Sequence, residues 1–323
     1  MSASLGVVMD PIGDIHIGKD TTFAMLLEAQ RRGYRLYYME PGHLFGRDEA
    51  PWARMYPLEV RREPGSHYSL GGEERRALTE LDLVLMRKDP PFDMEYIYMT
   101  YLLERALGST LVSNHPATLR DANEKMFTAY FPGLAPPTLV ARDPKEFYAF
   151  LQEREAMVLK PLEGRGGEGI FLVRAGDPNF NSVVESLTHR GTRFAMAQDY
   201  LPEAARGDKR ILLVDGEPVP HGLLRVPGGG DFRGNISAGA TTELAELTER
   251  DRAICAALGP ELRARGLTFV GIDVIGGYVT EINVTSPTGV QELDHYAGIN
   301  ICADLFDALE RRLARGAPFH DPQ

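Results

Sequence analysis

Apolar and polar positions follow one pattern in the first third of this chain and another beyond it. Leu5–Met9 is a short continuous apolar run. Asp20 or Thr21 then offers a helix cap, and Phe23, Met25, Leu26, Leu27 and Ala29 recur at helical spacing before a stop at Gly33. Strands are predicted at Arg35–Met39, Asp82–Met86 and Thr110–Val112. A helix over Met94–Leu107 carries Tyr96, Tyr98 and Tyr101, which suit either an interface or a core. Strands separated by helices predict a doubly wound parallel α/β sheet.

In the middle third the connections become too short for crossover helices. Met157–Lys160 and Ile170–Val173 are predicted strands joined by a glycine-rich loop. Ile211–Val214 and Pro218–Leu224 flank Asp215-Gly216, a strong turn signal, and Phe269–Ile275 and Tyr278–Val284 flank Gly276-Gly277. Three antiparallel hairpins therefore follow the α/β region. No internal repeat or low-complexity tract interrupts them.

Length and charge narrow the function. A chain of 323 residues usually divides into two or three domains, and 43% hydrophobic with 25% charged residues is the composition of a soluble protein with ample core. A net charge of −11, with no basic run of five, argues against non-specific nucleic-acid or anionic-membrane binding. The charge is unevenly spread: residues 123–242 carry 14 basic against 15 acidic side chains and are nearly neutral. Two cysteines, Cys255 and Cys302, cannot build a disulfide framework or a four-cysteine zinc site, which points to the reducing cytoplasm. The N-terminal apolar run lacks a basic segment before it and reads as a buried strand rather than a signal peptide. No apolar run approaches the ~18 residues of a membrane span.

Two glycine motifs invite over-reading. Gly13–Asp20 follows a strand and opens a helix, but Asp20 stands where a phosphate-binding loop needs a Mg²⁺-binding hydroxyl, so a turn with a helix cap is favoured. Gly164–Gly169 matches the spacing of a dinucleotide-binding loop, yet a strand rather than a helix follows it. It is either a plain turn or a loop whose backbone N–H groups approach phosphates closely.

Three further features bear on that choice. Asp273, Glu281 and Asn283 are oxygen ligands on one hairpin. Glu281 and Asn283 share a face, and a three-residue loop sets Asp273 opposite Glu281 whereas a two-residue loop sets it opposite Thr280. Such a set suits Mg²⁺ bridging phosphates, the alternative being a solvated face. Lys160, Arg210 and Arg225 stand singly at strand ends, suited to a triphosphate or, individually, to exposed salt bridges. Val226–Thr241 contains five glycines and Arg233 with few apolar residues, the composition of an active-site lid or a linker; its position inside a compact region favours a lid.

Lys125, the Lys160 strand, the Gly164–Gly169 loop, Gln198–Leu201, Asp208–Arg210 and the Asp273/Glu281/Asn283 hairpin resemble the ATP-grasp fold. Arg87–Asp93, Asn123-Glu124-Lys125 and Glu281–Gly289 are similar to bacterial glutathione synthetases in particular. The resemblance runs from about Leu5 to beyond Glu292. It implies an N-terminal α/β domain over 1–122, then two α+β subdomains over 123–200 and 201–316 whose antiparallel sheets grip ATP.

The resemblance also implies roles. Lys125 and Lys160 would meet the phosphates with Gly164, Gly166 and Gly167. Gln198, Tyr200 and Leu201 would hold adenine and Asp208 the ribose, while Mg²⁺ or Mn²⁺ would sit on Asp273, Glu281 and Asn283. Arg210, Arg225 and Arg233 would neutralise charge during the reaction, and Arg87, Ser286 and Thr288 would hold substrate. The reaction implied is ATP-dependent ligation of γ-glutamylcysteine and glycine through an acyl phosphate, by a homotetramer. One departure is Gln291, where the pattern expects a basic residue. Rival readings are another ATP-grasp ligase, joining D-amino acids or adding glutamate, and a non-catalytic nucleotide-binding module. The Arg87–Asp93 and Glu281–Gly289 motifs disfavour the first, and the retained charged set disfavours the second.

Overall fold

A computed structural model describes residues 2–164, 167–228 and 241–315 of the chain. Its first sheet contains β1 (Ser4–Val8), β2 (Arg35–Met39), β3 (Leu44–Arg47), β4 (Ala50–Val60), β5 (Tyr68–Leu70), β6 (Glu74–Ala77), β7 (Leu83–Met86) and β8 (Leu111–Ser113). The order β2-β1-β7-β8 is parallel throughout, as the strand–helix alternation predicts. Asp20 caps helix α1 (Thr21–Arg31) by accepting from the Phe23 N–H at 2.6 Å. Asp93 caps α2 (Met94–Glu104), and α3 (Pro116–Asp121) follows β8.

The strand period then distributes the side chains. Leu5 and Val7 pack in the core that contains α1, and Val8 packs in the core that contains α2, so helices cover both faces. Tyr96 is buried, while Tyr98 and Tyr101 stand 52% and 51% exposed on the same helix, with Arg120 stacked 4.2 Å from the Tyr101 ring centre. The sheet also has an antiparallel extension that the sequence reading omits. Strand β4 pairs with β2, β3, β5 and β6, and it contains both Pro51 and Pro57.

The second sheet is β9 (Thr138–Ala141), β10 (Ala156–Pro161), β11 (Phe171–Arg174) and β12 (Ala195–Asp199), antiparallel in the order β11-β10-β12-β9. Helices α4 (Pro144–Arg154) and α5 (Phe180–Leu187) cover one face, and Phe147, Leu151, Met157, Leu159, Val173 and Val184 form a core of its own.

The third sheet is β13 (Asp208–Val214), β14 (Glu217–Pro218), β15 (His221–Val226), β16 (Thr241–Glu246), β17 (Phe269–Ile275) and β18 (Tyr278–Asn283). Helix α6 (Glu249–Ala264) lies on one side, and α7 (Val290–Ala297) with α8 (Ile301–Ala314) on the other. The first and third sheets share both remaining cores: Val8, Met86 and Phe127 pack with Ile211, Val270 and Ile272, and Leu5 and Phe23 pack in one cluster with Leu212 and Leu305. The Asn114 side chain ties the same two sheets. It donates to Phe269 O and Val284 O, both at 2.7 Å, and accepts from Phe269 N at 2.9 Å. Among the described residues no helix is long and apolar enough to cross a membrane.

Candidate functional site

Register alone aligns the charged residues of the third sheet. Asp208 lies opposite Arg225, Arg210 opposite Asp273, and Asp273 opposite Glu281. Since side chains alternate across a strand and Ile211, Val270, Ile272 and Ile282 fill the core, these groups occupy the other face. The hairpin reaches this register in an unexpected way. Its turn is the two-residue Gly276-Gly277, with Ile275 opposite Tyr278, and a bulge between Asp273 and Val274 restores the pairing of Asp273 with Glu281. The three-residue loop required by the sequence argument is therefore replaced by a shorter turn plus an irregularity.

The result is an ionic lattice. Arg210 grips Asp273 through Nε–Oδ1 at 2.5 Å and Nη2–Oδ2 at 3.1 Å, and donates from Nη1 to Thr288 O at 3.3 Å. Arg225 pairs with Asp208 through Nε, and its Nη2 lies 2.9 Å from Asp273 Oδ2. Burial alone pushes the Asp273 carboxyl up, but the two guanidiniums overcome it and hold the group well below the usual carboxylate range. Asp208 moves the other way. Its burial, joined by repulsion from Asp273, outweighs Arg225 and raises it. Two glycines make the packing possible. A Cβ on Gly207, at φ +109°, would lie 2.6 Å from Arg225 O, and one on Gly271 would lie 2.9 Å from Pro287 Cβ and 3.1 Å from Arg210 Cδ.

Lys160 approaches from the second sheet and donates to Thr280 O of β18 at 3.3 Å, bridging the cleft between the sheets. Glu281 sits between two ammonium groups, 3.8 Å from Lys125 and 3.9 Å from Lys160. Burial, opposed by Glu281 and reinforced by Lys125, draws Lys160 down to about 8. Lys125 is buried too, but Glu281 and Glu124 together carry it upward.

Two neighbouring cavities open beside these groups. One, of about 250 Å³, is lined by Lys125, Gly164, Gly167, Arg210, Arg225, Glu281, Asn283, Ser286 and Thr288, among others. The other, of about 90 Å³, is lined by Val158, Lys160, Gln198, Tyr200, Leu201, Asp208, Asp273 and Ile275, among others, and shares Ile170 and Glu281 with the first. Most of the expected site residues thus converge on one cleft. Within the second cavity the Tyr200 N–H is already committed to Ala156 O at 3.3 Å, and Gln198 Nε2 to Thr138 Oγ1 at 3.1 Å.

Arg87 does not line that cleft. Its guanidinium is buried, donates to Thr22 Oγ1 and Pro287 O at 3.1 and 3.0 Å, and lies 5.7 Å from the Phe269 ring centre. It supports the Ser286–Thr288 segment from beneath. Gly166, Arg233 and most of the Val226–Thr241 segment lie outside the described residues. Gln291 donates to Ile17 O and Asp20 O, and accepts from Arg62 Nη1 at 2.8 Å, so a cation from a distant loop occupies the neighbourhood where a basic residue was expected. Glu124 was missed: it lines the larger cavity and accepts a hydrogen bond from Lys125 Nζ.

The donor set accommodates a hard cation in part. Glu281 and Asn283 face the larger cavity with oxygen donors. Asp273 Oδ2 is crowded by Arg210, Arg225 and Asn283 Nδ2, so this carboxylate can contribute chiefly through Oδ1. Asp89, Glu124, Glu168 and Glu281 face the same cavity against Lys125, Arg210 and Arg225. A polyphosphate entering such a balanced wall needs additional positive charge, which a divalent ion would supply.

Comparison with known proteins gives a consistent result. The family model for the prokaryotic glutathione synthetase N-terminal domain matches residues 3–120, and that for its ATP-grasp domain matches residues 124–298. The chain is 53% identical over 312 residues to a glutathione synthetase of Citrobacter rodentium, covering 96% of this chain and 99% of the relative. It is 52% identical to that of Pseudomonas putida, covering 97% and 99%. Among solved structures, a D-cycloserine synthetase superposes with a TM-score of 0.65 at 17% identity, covering 96% of this chain and all of that one. D-alanyl-alanine synthetase A of Vibrio cholerae superposes at 0.62 with 12% identity, covering 97% and 99%.

Proposed function

This chain belongs to the prokaryotic glutathione synthetase family, and we infer on that basis that it joins γ-glutamylcysteine to glycine at the expense of ATP. The observation that carries the reading is the convergence of Lys125 and Lys160, from separate elements, on Glu281 at 3.8 and 3.9 Å between the two cavities.

The smaller cavity takes the nucleoside, with Val158, Ile170 and Ile275 against the base and the Gln198–Leu201 backbone at its edge. Lys125 and Lys160 hold the phosphates, and the dipeptide carboxylate enters beside Ser286 and Thr288. A carboxylate oxygen attacks the γ-phosphorus in line, the bond to the ADP oxygen breaks, and an acyl phosphate forms. Two anions meet in that step, so Arg210 and Arg225, already fixed by Asp273 and Asp208, oppose the developing charge without reorganising. The neutral glycine amine then adds to the acyl carbon. The tetrahedral adduct expels phosphate, and the nitrogen gives up one proton, taken up by the departing phosphate, leaving the amide N–H.

Mg²⁺ or Mn²⁺ held by Glu281 and Asn283, with Asp273 behind them, would balance phosphate charge. A cytoplasmic homotetramer completes the proposal. ADP release is measured with both substrates and with each omitted in turn. Release that requires both supports the assignment, and release indifferent to them overturns it.

A further inference from the structure

Glu124 is among the cleft side chains to which the proposed reaction gives no role, and it contacts one of the lysines assigned to the phosphates. Its side chain is only 20% exposed and lines the larger cavity, an expensive setting for a carboxylate on the wall of an anion site. Its placement is firm. Glu124 O accepts from Ile282 N at 2.8 Å, which fastens it to β18. The neighbouring Asn123 accepts at Oδ1 from the N–H groups of Lys125 and Met126 at 3.1 and 3.0 Å. Asn123 also donates from Nδ2 to Leu162 O at 3.2 Å, which fastens the segment to the second sheet.

From that fixed position Glu124 Oε1 accepts a hydrogen bond from Lys125 Nζ. Glu281 is 3.8 Å from the same ammonium, beyond hydrogen-bonding distance, and is shared with Lys160. The directional partner of Lys125 is therefore Glu124, while Glu281 attracts it only through charge.

We propose that Glu124 is a positioning residue, which holds the Lys125 ammonium in the cleft so that its remaining donors meet the nucleotide phosphates. The inference rests on reading the cleft as a nucleotide site. A lysine carries a flexible four-carbon stem and three N–H donors. One donor anchored to Glu124 removes most of the stem's freedom and leaves two for phosphate. The ordering cost is then met in the folded protein rather than during binding. The anchor also frees Glu281, which can turn its charge elsewhere without releasing Lys125.

The opposing explanation, a carboxylate that merely fills space, predicts the reverse sign. Removing a negative charge from the wall of an anion site strengthens anion binding unless that charge holds a cation in place. Binding of the non-hydrolysable analogue AMP-PNP with Mg²⁺ is measured by calorimetry for the wild type, Glu124→Gln, Lys125→Met and the double variant. Glu124→Gln weakens binding about tenfold. In the Lys125→Met background the same change has no further effect, because Glu124 acts through Lys125. In steady-state assays KM for ATP rises while KM for γ-glutamylcysteine stays within about twofold. Glu124→Asp, which keeps the charge on a shorter stem, recovers part of the loss, and serves in the same cycle if the glutamine variant does not fold.

Unchanged or tighter binding by Glu124→Gln overturns the proposal, as does an undiminished effect in the double variant. Wild-type protein that binds the analogue but fails the substrate-omission assay sinks the ligase assignment alone. Wild-type protein that does not bind the analogue sinks both.

Discussion

Replacing Asp273 by asparagine separates the structural and chemical roles of the ionic lattice. The carboxylate is 4% exposed and meets Arg210 at 2.5 and 3.1 Å and Arg225 at 2.9 Å. An ion pair with charge centres about 4 Å apart contributes about 4 kcal/mol at an effective dielectric of about 20, so two guanidiniums give about 8 kcal/mol gross. Much of this offsets the desolvation of three charged groups. The net cost of deleting the shared partner is about 3–5 kcal/mol, because both arginines stay buried and an amide N–H₂ now faces one of them. Arg225 retains Asp208, whereas among the described residues Arg210 keeps the Thr288 carbonyl. A melt followed by circular dichroism therefore shows a drop in Tm of about 4–7 °C for a chain of 323 residues. Urea denaturation shows a lower midpoint with an unchanged slope. An Asn variant with a Tm within about 2 °C of wild type would refute the reasoning, since the arginines would then not depend on Asp273.

Glu281→Gln gives the complementary pattern. Its lysine partners lie at 3.8 and 3.9 Å and Lys125 keeps Glu124, so Tm moves by only a few degrees while turnover is lost; retained turnover removes Glu281 from the chemistry. Glu28→Gln tests a purely structural carboxylate. The hydrogen bond from Arg31 leads the effects that hold Glu28 down to about 2, against burial and with help from Arg32 and Asn300. A depressed carboxyl stabilises the fold above about 4.5 and loses that contribution as pH falls through about 2. The shift corresponds to about 3 kcal/mol, reduced to about 2 because Arg31 is largely exposed. The variant is less stable at neutral pH by that amount and the difference closes in acid; a pH-independent difference contradicts the linkage.

The sequence was informative where one local signal governs one element. Asp20 caps α1 as its type predicts, and Asp215-Gly216 and Gly276-Gly277 both turn hairpins. It was less informative where neighbours decide. Pro51 and Pro57 look like strand breakers, yet β4 accommodates both within an eleven-residue strand. The bulge after Asp273 has no local signature beyond the need to align Asp273 with Glu281. Arg87 and Glu124 both take their surroundings from segments distant in sequence. An isolated arginine in a recognisable motif suggests a ligand contact, and the fold places its guanidinium beneath the Ser286–Thr288 segment, where it donates to Thr22 and Pro287. Glu124 stands in a motif with Lys125 that gives it no role of its own, and its enclosure comes from long-range partners: β18 bonds its backbone through Ile282 N, and Leu162 bonds the adjacent Asn123.

The Asn114 clamp bears on how such a protein can be divided. The two matched family segments meet between residues 120 and 124, which invites treating them as interchangeable modules. Yet Asn114 imitates a strand edge toward Phe269 and Val284, and both cores beneath it draw on residues from either side of that seam. A chimera joined there would exchange half of two interiors rather than one domain. Compatibility between donors would depend on matching Asn114 and its buried neighbours. The second sheet, with its separate core, is the natural unit for transplantation.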